Sequence, residues 1–179
     1  MIMSALGNAL RNVVVRGVVA VVDAGRKLQA IQVRLTAGEV KGNVEHFEPY
    51  GWTSHPHPGA EAVVAFLGGD RSHGVVLCAT DRRYRLVELE AGEVAIYSDE
   101  GDSVVLKRGR VVEVTTEVFR LNAKRCELNA PEGIVLNAGV VSASGSIKAE
   151  LDIVAGETSV QGHRHKDVQP GSGTSGGPV

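Results

Sequence analysis

The chain has 179 residues, 43% of them hydrophobic but only 4% aromatic, and a net charge of -2. That length suits one ordinary domain or two small ones, and the charge supplies no basic field to attract nucleic acid or an anionic membrane. No apolar run reaches the length of a membrane span, the first residues lack a signal-peptide pattern, and the distant pair Cys78 and Cys126 forms no disulfide framework, which fits assembly in a reducing cytoplasm.

The apolar residues are mainly Val, Ala and Leu, and 22 glycines imply frequent turns. Valine favours strands through its branched Cβ. The composition therefore predicts an all-β protein with slim cores.

In chain order, the first segment carries Leu6, Ala9, Leu10 and Val13 on a roughly helical period, with Ser4 as a possible cap. Residues 1–12 are expected to form an arm or short helix. From Val13 the pattern turns to strands. Val18, Ala20 and Val22 share one face of a run that ends at Asp23-Ala24-Gly25. In the next run Gln29, Ile31, Val33 and Leu35 alternate with Ala30, Gln32 and Arg34. A Gly-, Pro- and His-rich stretch from Gly38 to Gly59 reads as a long loop. Ala62 to Leu67 and Gly74 to Ala79 then read as a hairpin around Gly68-Gly69-Asp70. That glycine pair precedes a strand, whereas phosphate loops precede a helix, so a turn is expected there. Short strands, one long loop and no helical crossover predict a barrel like that of the oligonucleotide/oligosaccharide-binding (OB) fold over 13–85. The basic cluster Arg82-Arg83-Tyr84-Arg85 closes it, either as a nucleic-acid contact or as a solvated linker with local ion pairs.

Beyond Gly92 the pattern changes. Glu93 to Ser98 and Ser103 to Lys107 flank Asp99-Glu100-Gly101-Asp102, giving a linking hairpin within 86–110. After Val111 to Val118, a short motif recurs: Leu121-Asn122-Ala123, Leu128-Asn129-Ala130 and Leu136-Asn137-Ala138. A short period implies stacked units. In the following segment Ala143, Gly145, Ile147, Ala149, Leu151, Ile153 and Ala155 occupy one parity. Such strands leave unpaired edges and too few inward residues to fill a core within one chain. Winding around two further copies supplies both, so 111–160 is expected to be the shaft of a homotrimer. A monomeric sandwich is the competing reading.

The last part, 161–179, contains Gly162-His163-Arg164-His165 before a tail rich in Gly, Ser and Pro. On an extended segment, residues at i and i+2 point to the same side. His163 and His165 are the candidate metal ligands. Three chains would bring six imidazoles together, which suits an octahedral metal such as iron or nickel better than tetrahedral zinc. A solvated surface pair is the plain alternative, and a second pair, His55-Pro56-His57, reads as loop structure or a partner contact.

Three stretches together resemble the baseplate assembly protein V family, the central spike proteins of Mu-like and related contractile-tailed bacteriophages. The first runs from Tyr50-Gly51-Trp52-Thr53-Ser54-His55-Pro56-His57-Pro58-Gly59 to Ala62. The second is Gly68-Gly69-Asp70-Arg71-Ser72-His73-Gly74-Val75-Val76, continuing to Asp81-Arg82-Arg83-Tyr84-Arg85. The third is His163-Arg164-His165 with Val168-Gln169-Pro170-Gly171-Ser172-Gly173-Thr174-Ser175-Gly176. The resemblance spans nearly the whole chain. It implies an OB-like domain that joins a baseplate hub protein, a triple-stranded β-helix shaft, and an apex where His163 and His165 of three chains hold one structural iron ion. Calcium or chloride near the tip belongs to some relatives, with no ligands assignable here. The implied location is the tip of the virion tail baseplate, and the implied role is penetration of the host outer membrane, with no catalysis and no nucleic acid.

Other classes make different demands. A non-haem iron enzyme would need a carboxylate such as Asp167 beside the histidines and an open coordination position. A binding module would use the OB-like barrel to grip single-stranded nucleic acid or glycan. The spike of a related contractile injection system or bacteriocin-like particle would share the architecture.

Overall fold

The computed structural model describes residues 13–164 and residue 171. The expected N-terminal helix or arm and His165 lie outside the described residues. Two compact units divide the chain, Met1–Asn122 and Ala123–Val179. Among the described residues every regular element is a strand except two short 3-10 turns, Thr36–Gly38 and Leu67–Gly69. None of them contains a helix long and apolar enough to cross a membrane.

In the first unit, β1 (Val14–Asp23), β2 (Ala30–Arg34), β3 (Val40–His46), β4 (Glu61–Phe66) and β5 (Gly74–Thr80) form a closed barrel in the order β1-β2-β3-β5-β4. The β3–β5 pair is parallel and the other pairs are antiparallel. This is the small Greek-key barrel expected from short strands and one long connection. Val19, Ile31, Val33, Val64, Phe66 and Val76 are fully buried in it. Closure gives every strand of the barrel two neighbours, with β3 and β5 meeting at Glu45–Val75 and His46–Val76.

Two details of the barrel depart from the sequence reading. Val18, Ala20 and Val22, expected to share one face of β1, do not share it. The buried positions are Gly17 and Val19, with Val15 packed beside them. A register shift between Val19 and Val21 then changes the parity, which lets Val22 reach the same core. The stretch from Gly38 to Gly59 is also not all loop, since its first part is β3. Lys41-Gly42-Asn43 interrupts the apolar alternation there, and Asn43 has a positive φ of 56°. The β2–β3 register slips between Ile31 and Val33 at this point, so a period-two pattern is absent from the sequence although the ladder forms.

Gly17 has a packing reason. A Cβ at this position would lie 2.3 Å from Val33 Cγ1 and 2.9 Å from the Arg34 carbonyl oxygen. Strands β1 and β2 therefore approach too closely for any side chain. The β4–β5 connection turns at Gly68 and Gly69, both with positive φ. Asp70 accepts from the Ser72 amide at 2.8 Å and the Ser72 hydroxyl at 2.7 Å, bracing this turn.

A second sheet follows in the same unit. β6 (Val94–Tyr97), β7 (Ser103–Lys107) and β8 (Val111–Thr115) form an antiparallel meander. The Ser98 amide donates to the Asp102 carbonyl at 2.9 Å, and Gly101 takes a positive φ to close the expected hairpin. Among the described residues of the second unit the regular elements are β9 (Val154–Ala155) and β10 (Thr158–Ser159), which pair around Gly156.

Candidate functional site

The three-stranded sheet presents one apolar face. Val94, Leu106 and Val112 align across the strands as one row, and Ile96, Val104 and Val114 as the next. All six are exposed. Directly opposed β-branched and aliphatic side chains are the ordinary unit of sheet packing, yet here they form a contiguous surface patch of the kind that marks an interaction site.

The second unit has the same property in another form. No strand forms between Thr115 and Val154 within the single chain. Leu128, Ile134, Leu136, Ile147 and Ile153 are all exposed, while Val135 and Leu151 reach 82% and 87% exposure. The turn Ala130-Pro131-Glu132-Gly133 is present, with the Gly133 amide donating to the Ala130 carbonyl at 3.0 Å and a φ of 120°. The second and third Leu-Asn-Ala repeats therefore lie on chain whose apolar side chains find no cover among the described residues of the unit.

His163 sits on the turn that leaves β10. Its amide donates to the Ser159 carbonyl at 3.2 Å, closing one turn of chain. Its Nδ1 lies 3.0 Å from that same oxygen and 3.1 Å from the Val160 carbonyl. Carbonyl oxygens only accept, so Nδ1 carries the proton and Nε2 is the lone-pair nitrogen of the neutral ring. A backbone carbonyl on one ring nitrogen is the usual companion of a metal on the other, so the donor chemistry at His163 fits an imidazole-bound metal. Among the described residues no three His, Cys, Asp or Glu side chains come together to hold a metal. The second ligand predicted from the sequence, His165, lies outside the described residues.

The barrel carries a separate surface. The β3–β4 loop exposes Phe47, Tyr50 and Trp52. Beneath them Glu48 accepts from the Ser54 amide at 2.7 Å and the Thr53 hydroxyl at 3.0 Å. Desolvation pushes the Glu48 carboxyl up, but these bonds outweigh it and hold it below the ordinary carboxylate range. Gln29 donates to the Ser54 carbonyl and to Glu48, so the loop is braced from the barrel side. This network had no signal in the sequence, because Gln29 lies far along the chain from the Glu48, Thr53 and Ser54 that it meets.

The other sequence candidates have structural work inside the first unit. His57 Nε2 is 2.8 Å from Asp99 Oδ2, and its ring packs 5.3 Å from the Tyr84 ring. It thereby ties the barrel loop to the β6–β7 turn. In the basic cluster, Arg82 pairs with Glu61, while Arg83 pairs with Asp81 and donates to the Pro58 carbonyl. The hydrogen-bonded Arg82 guanidinium lowers the Glu61 carboxyl, and Arg83 does the same for Asp81. These two arginines serve local ion pairs.

Comparison with known proteins agrees with this architecture. A family described as bacteriophage Mu Gp45, N-terminal, matches residues 16–83, which cover the barrel and the start of the basic cluster. The baseplate puncturing device gp45 of Escherichia phage Mu is 33% identical over 150 residues, spanning 83% of this chain and 72% of that protein. The Mu-like prophage FluMu protein gp45 of Haemophilus influenzae is 33% identical over 131 residues, 73% of this chain and 71% of that one. With the family matching residues 16–83, and relatives aligned over most of both lengths, the chain belongs to the bacteriophage Mu Gp45 family.

Proposed function

We propose that this chain is the structural central spike of a contractile phage-tail baseplate. In this reading three copies wind their residues from about 111 to 160 into a triple-stranded β-helix. The trimer is driven through the host outer membrane when the tail contracts. The relative named a baseplate puncturing device supports the baseplate role.

The observation that carries the reading is the exposed apolar series. Rows from Val94 to Val114 and side chains from Leu128 to Ile153 face solvent in the single chain. Burying a Val, Leu or Ile side chain contributes about 1.5–3 kcal/mol, so a series of this length strongly favours association. Copies of the same chain offer the same period and matching unpaired strand edges, which makes self-association the natural cover. The barrel would make the hub contact. Phe47, Tyr50 and Trp52 suit that task, because aromatic side chains on a braced loop bind at low entropic cost.

At the other end, His163 and His165 of three chains would hold one structural iron ion, pinning Gly-rich ends that otherwise carry high conformational entropy. The work of the spike is mechanical and assigns no catalytic residue.

Sedimentation over a wide dilution range, together with metal analysis of the same samples, tests this reading. The expected result is a trimer at every concentration with one metal ion per three chains. Replacing His163 and His165 with Ala is expected to abolish the metal and leave the trimer intact. A stable folded monomer at high concentration would overturn the shaft, and metal content unchanged in the double variant would overturn the histidine site.

A further inference from the structure

We infer that Asp152 and Ser159 are positioning residues for the His163 imidazole, acting through the turn that presents it; the inference rests on the metal-binding reading above. The network begins at the Asp152 carboxylate. Its Oδ1 accepts from the Ile153 amide at 2.8 Å and the Gln161 amide at 3.1 Å. These two amides lie on either side of the β9–β10 hairpin, so the carboxylate ties its entry to its exit. The Ser159 hydroxyl acts on the same turn, accepting from the Gly162 amide at 2.7 Å. The Ser159 carbonyl then takes the His163 amide at 3.2 Å and stands 3.0 Å from Nδ1.

A hairpin with two-residue strands has little stability of its own. Here its closing bonds are the Val160 amide to the Ile153 carbonyl at 2.8 Å and the contacts gathered by Asp152. Gln161, whose amide Asp152 holds, lies in the chain between His163 and the Ser159 carbonyl that receives the His163 amide. Any loosening at Asp152 is therefore felt at the carbonyl that fixes the imidazole's tautomer and direction. Close packing at Gly162 fits this: a Cβ there would stand 3.2 Å from the Ser159 hydroxyl. Partners that orient a ligating histidine typically contribute 10–100-fold to metal affinity.

The test uses the full chain, stripped of metal and titrated with Co2+, whose visible absorption reports ligand geometry. Variants are Asp152→Ala, Asp152→Asn, Ser159→Ala, Ser159→Thr and His163→Ala, with the oligomeric state of each checked by sedimentation. Asp152→Ala and Ser159→Ala are expected to keep the wild-type assembly and weaken Co2+ binding about ten-fold or more. Ser159→Thr retains the hydroxyl, and Asp152→Asn retains an accepting oxygen. Both are expected to stay closer to wild type than the alanine variants, and His163→Ala is expected to lose the signal. Without metal, amide exchange at Gly162 and His163 is expected to speed up in the two alanine variants. Co2+ binding or amide exchange unchanged in those variants would overturn the positioning role while leaving the histidine site standing. A wild-type chain that takes up no Co2+ would instead overturn the histidine reading, and the positioning inference with it.

Discussion

The barrel and the second unit use similar residues to opposite ends. Both are rich in Val, Leu, Ile and Ala. In the barrel these side chains turn inward along five strands that pair in a closed ring, and Val19, Ile31, Val33 and Val64 lose all contact with solvent. Among the described residues from Ala123 onward the same residue types stay exposed, and regular pairing is limited to β9 and β10. The three-stranded sheet lies between these extremes: its backbone ladder is complete, but one face remains uncovered. Local sequence character does not separate the cases; what differs is where the partner surface comes from. A barrel stores its stability in one chain, whereas an exposed apolar series draws stability from other chains, so its folding and association are linked.

The comparison breaks most decisively if the chain is cut. A fragment ending near Arg85 is expected to fold as a monomer, with cooperative unfolding by circular dichroism. A fragment beginning near Gly92 is expected to trimerise and to lose its strand signal together with its trimer in denaturant. The sheet face of Val94, Ile96, Val104, Leu106, Val112 and Val114 is retained in the second fragment. Tight trimers from the first fragment and monomers from the second would reverse the assignment.

A smaller effect sharpens the barrel side. Gly17→Ala places a methyl group 2.3 Å from Val33 Cγ1 and against the Arg34 carbonyl. The strand pair must part to admit it, and overpacking of this kind costs about 1–3 kcal/mol. Denaturant unfolding of the barrel fragment is expected to show that loss. Trimerisation of the full chain is expected to survive the change. If Gly17→Ala were as stable as wild type, the close β1–β2 approach would be wrong.

The same contrast decides what was legible in the sequence. The hairpins β4–β5 and β6–β7 announce themselves, because their alternation runs up to Gly-containing turns at Gly68-Gly69 and Gly101. The strand β3 hides, because Asn43 and its slipped register break the period. The grouping of Val18, Ala20 and Val22 on one face of β1 fails because the bulge lies inside an unbroken run of valines and alanines, where neither parity stands out. The segment from Val111 was placed at the start of the shaft, and its first five residues pair with β7 as β8. An alternating strand specifies its faces but not its neighbour, so sequence leaves that boundary loose. His163 was visible as a residue type at a suggestive spacing. Its Nδ1 partners were not, because they are main-chain carbonyls, and any residue could have supplied them.

The smallest expected effect concerns the braced loop beside the barrel. Glu48 is held ionised by the Ser54 amide and the Thr53 hydroxyl despite its desolvation, so its folded-state pKa lies below the ordinary 4.5. A depressed carboxylate contributes stability that is fully present above its unfolded pKa and is lost as pH falls through the lower, folded value. Glu48→Gln keeps the size of the side chain and an accepting oxygen but removes the charge, at a cost of about 1 kcal/mol near neutral pH. That difference is expected to shrink as the pH is lowered below the ordinary carboxylate range, where wild type also becomes neutral. Thermal unfolding of the wild-type and Glu48→Gln barrel fragments from pH 7 to pH 3 measures it. A gap that stays constant over this range would mean that the charge of Glu48 contributes nothing, and that shape alone braces the loop bearing Tyr50 and Trp52. Convergence of the two curves at low pH would instead tie the rigidity of that aromatic surface to a single buried-side carboxylate.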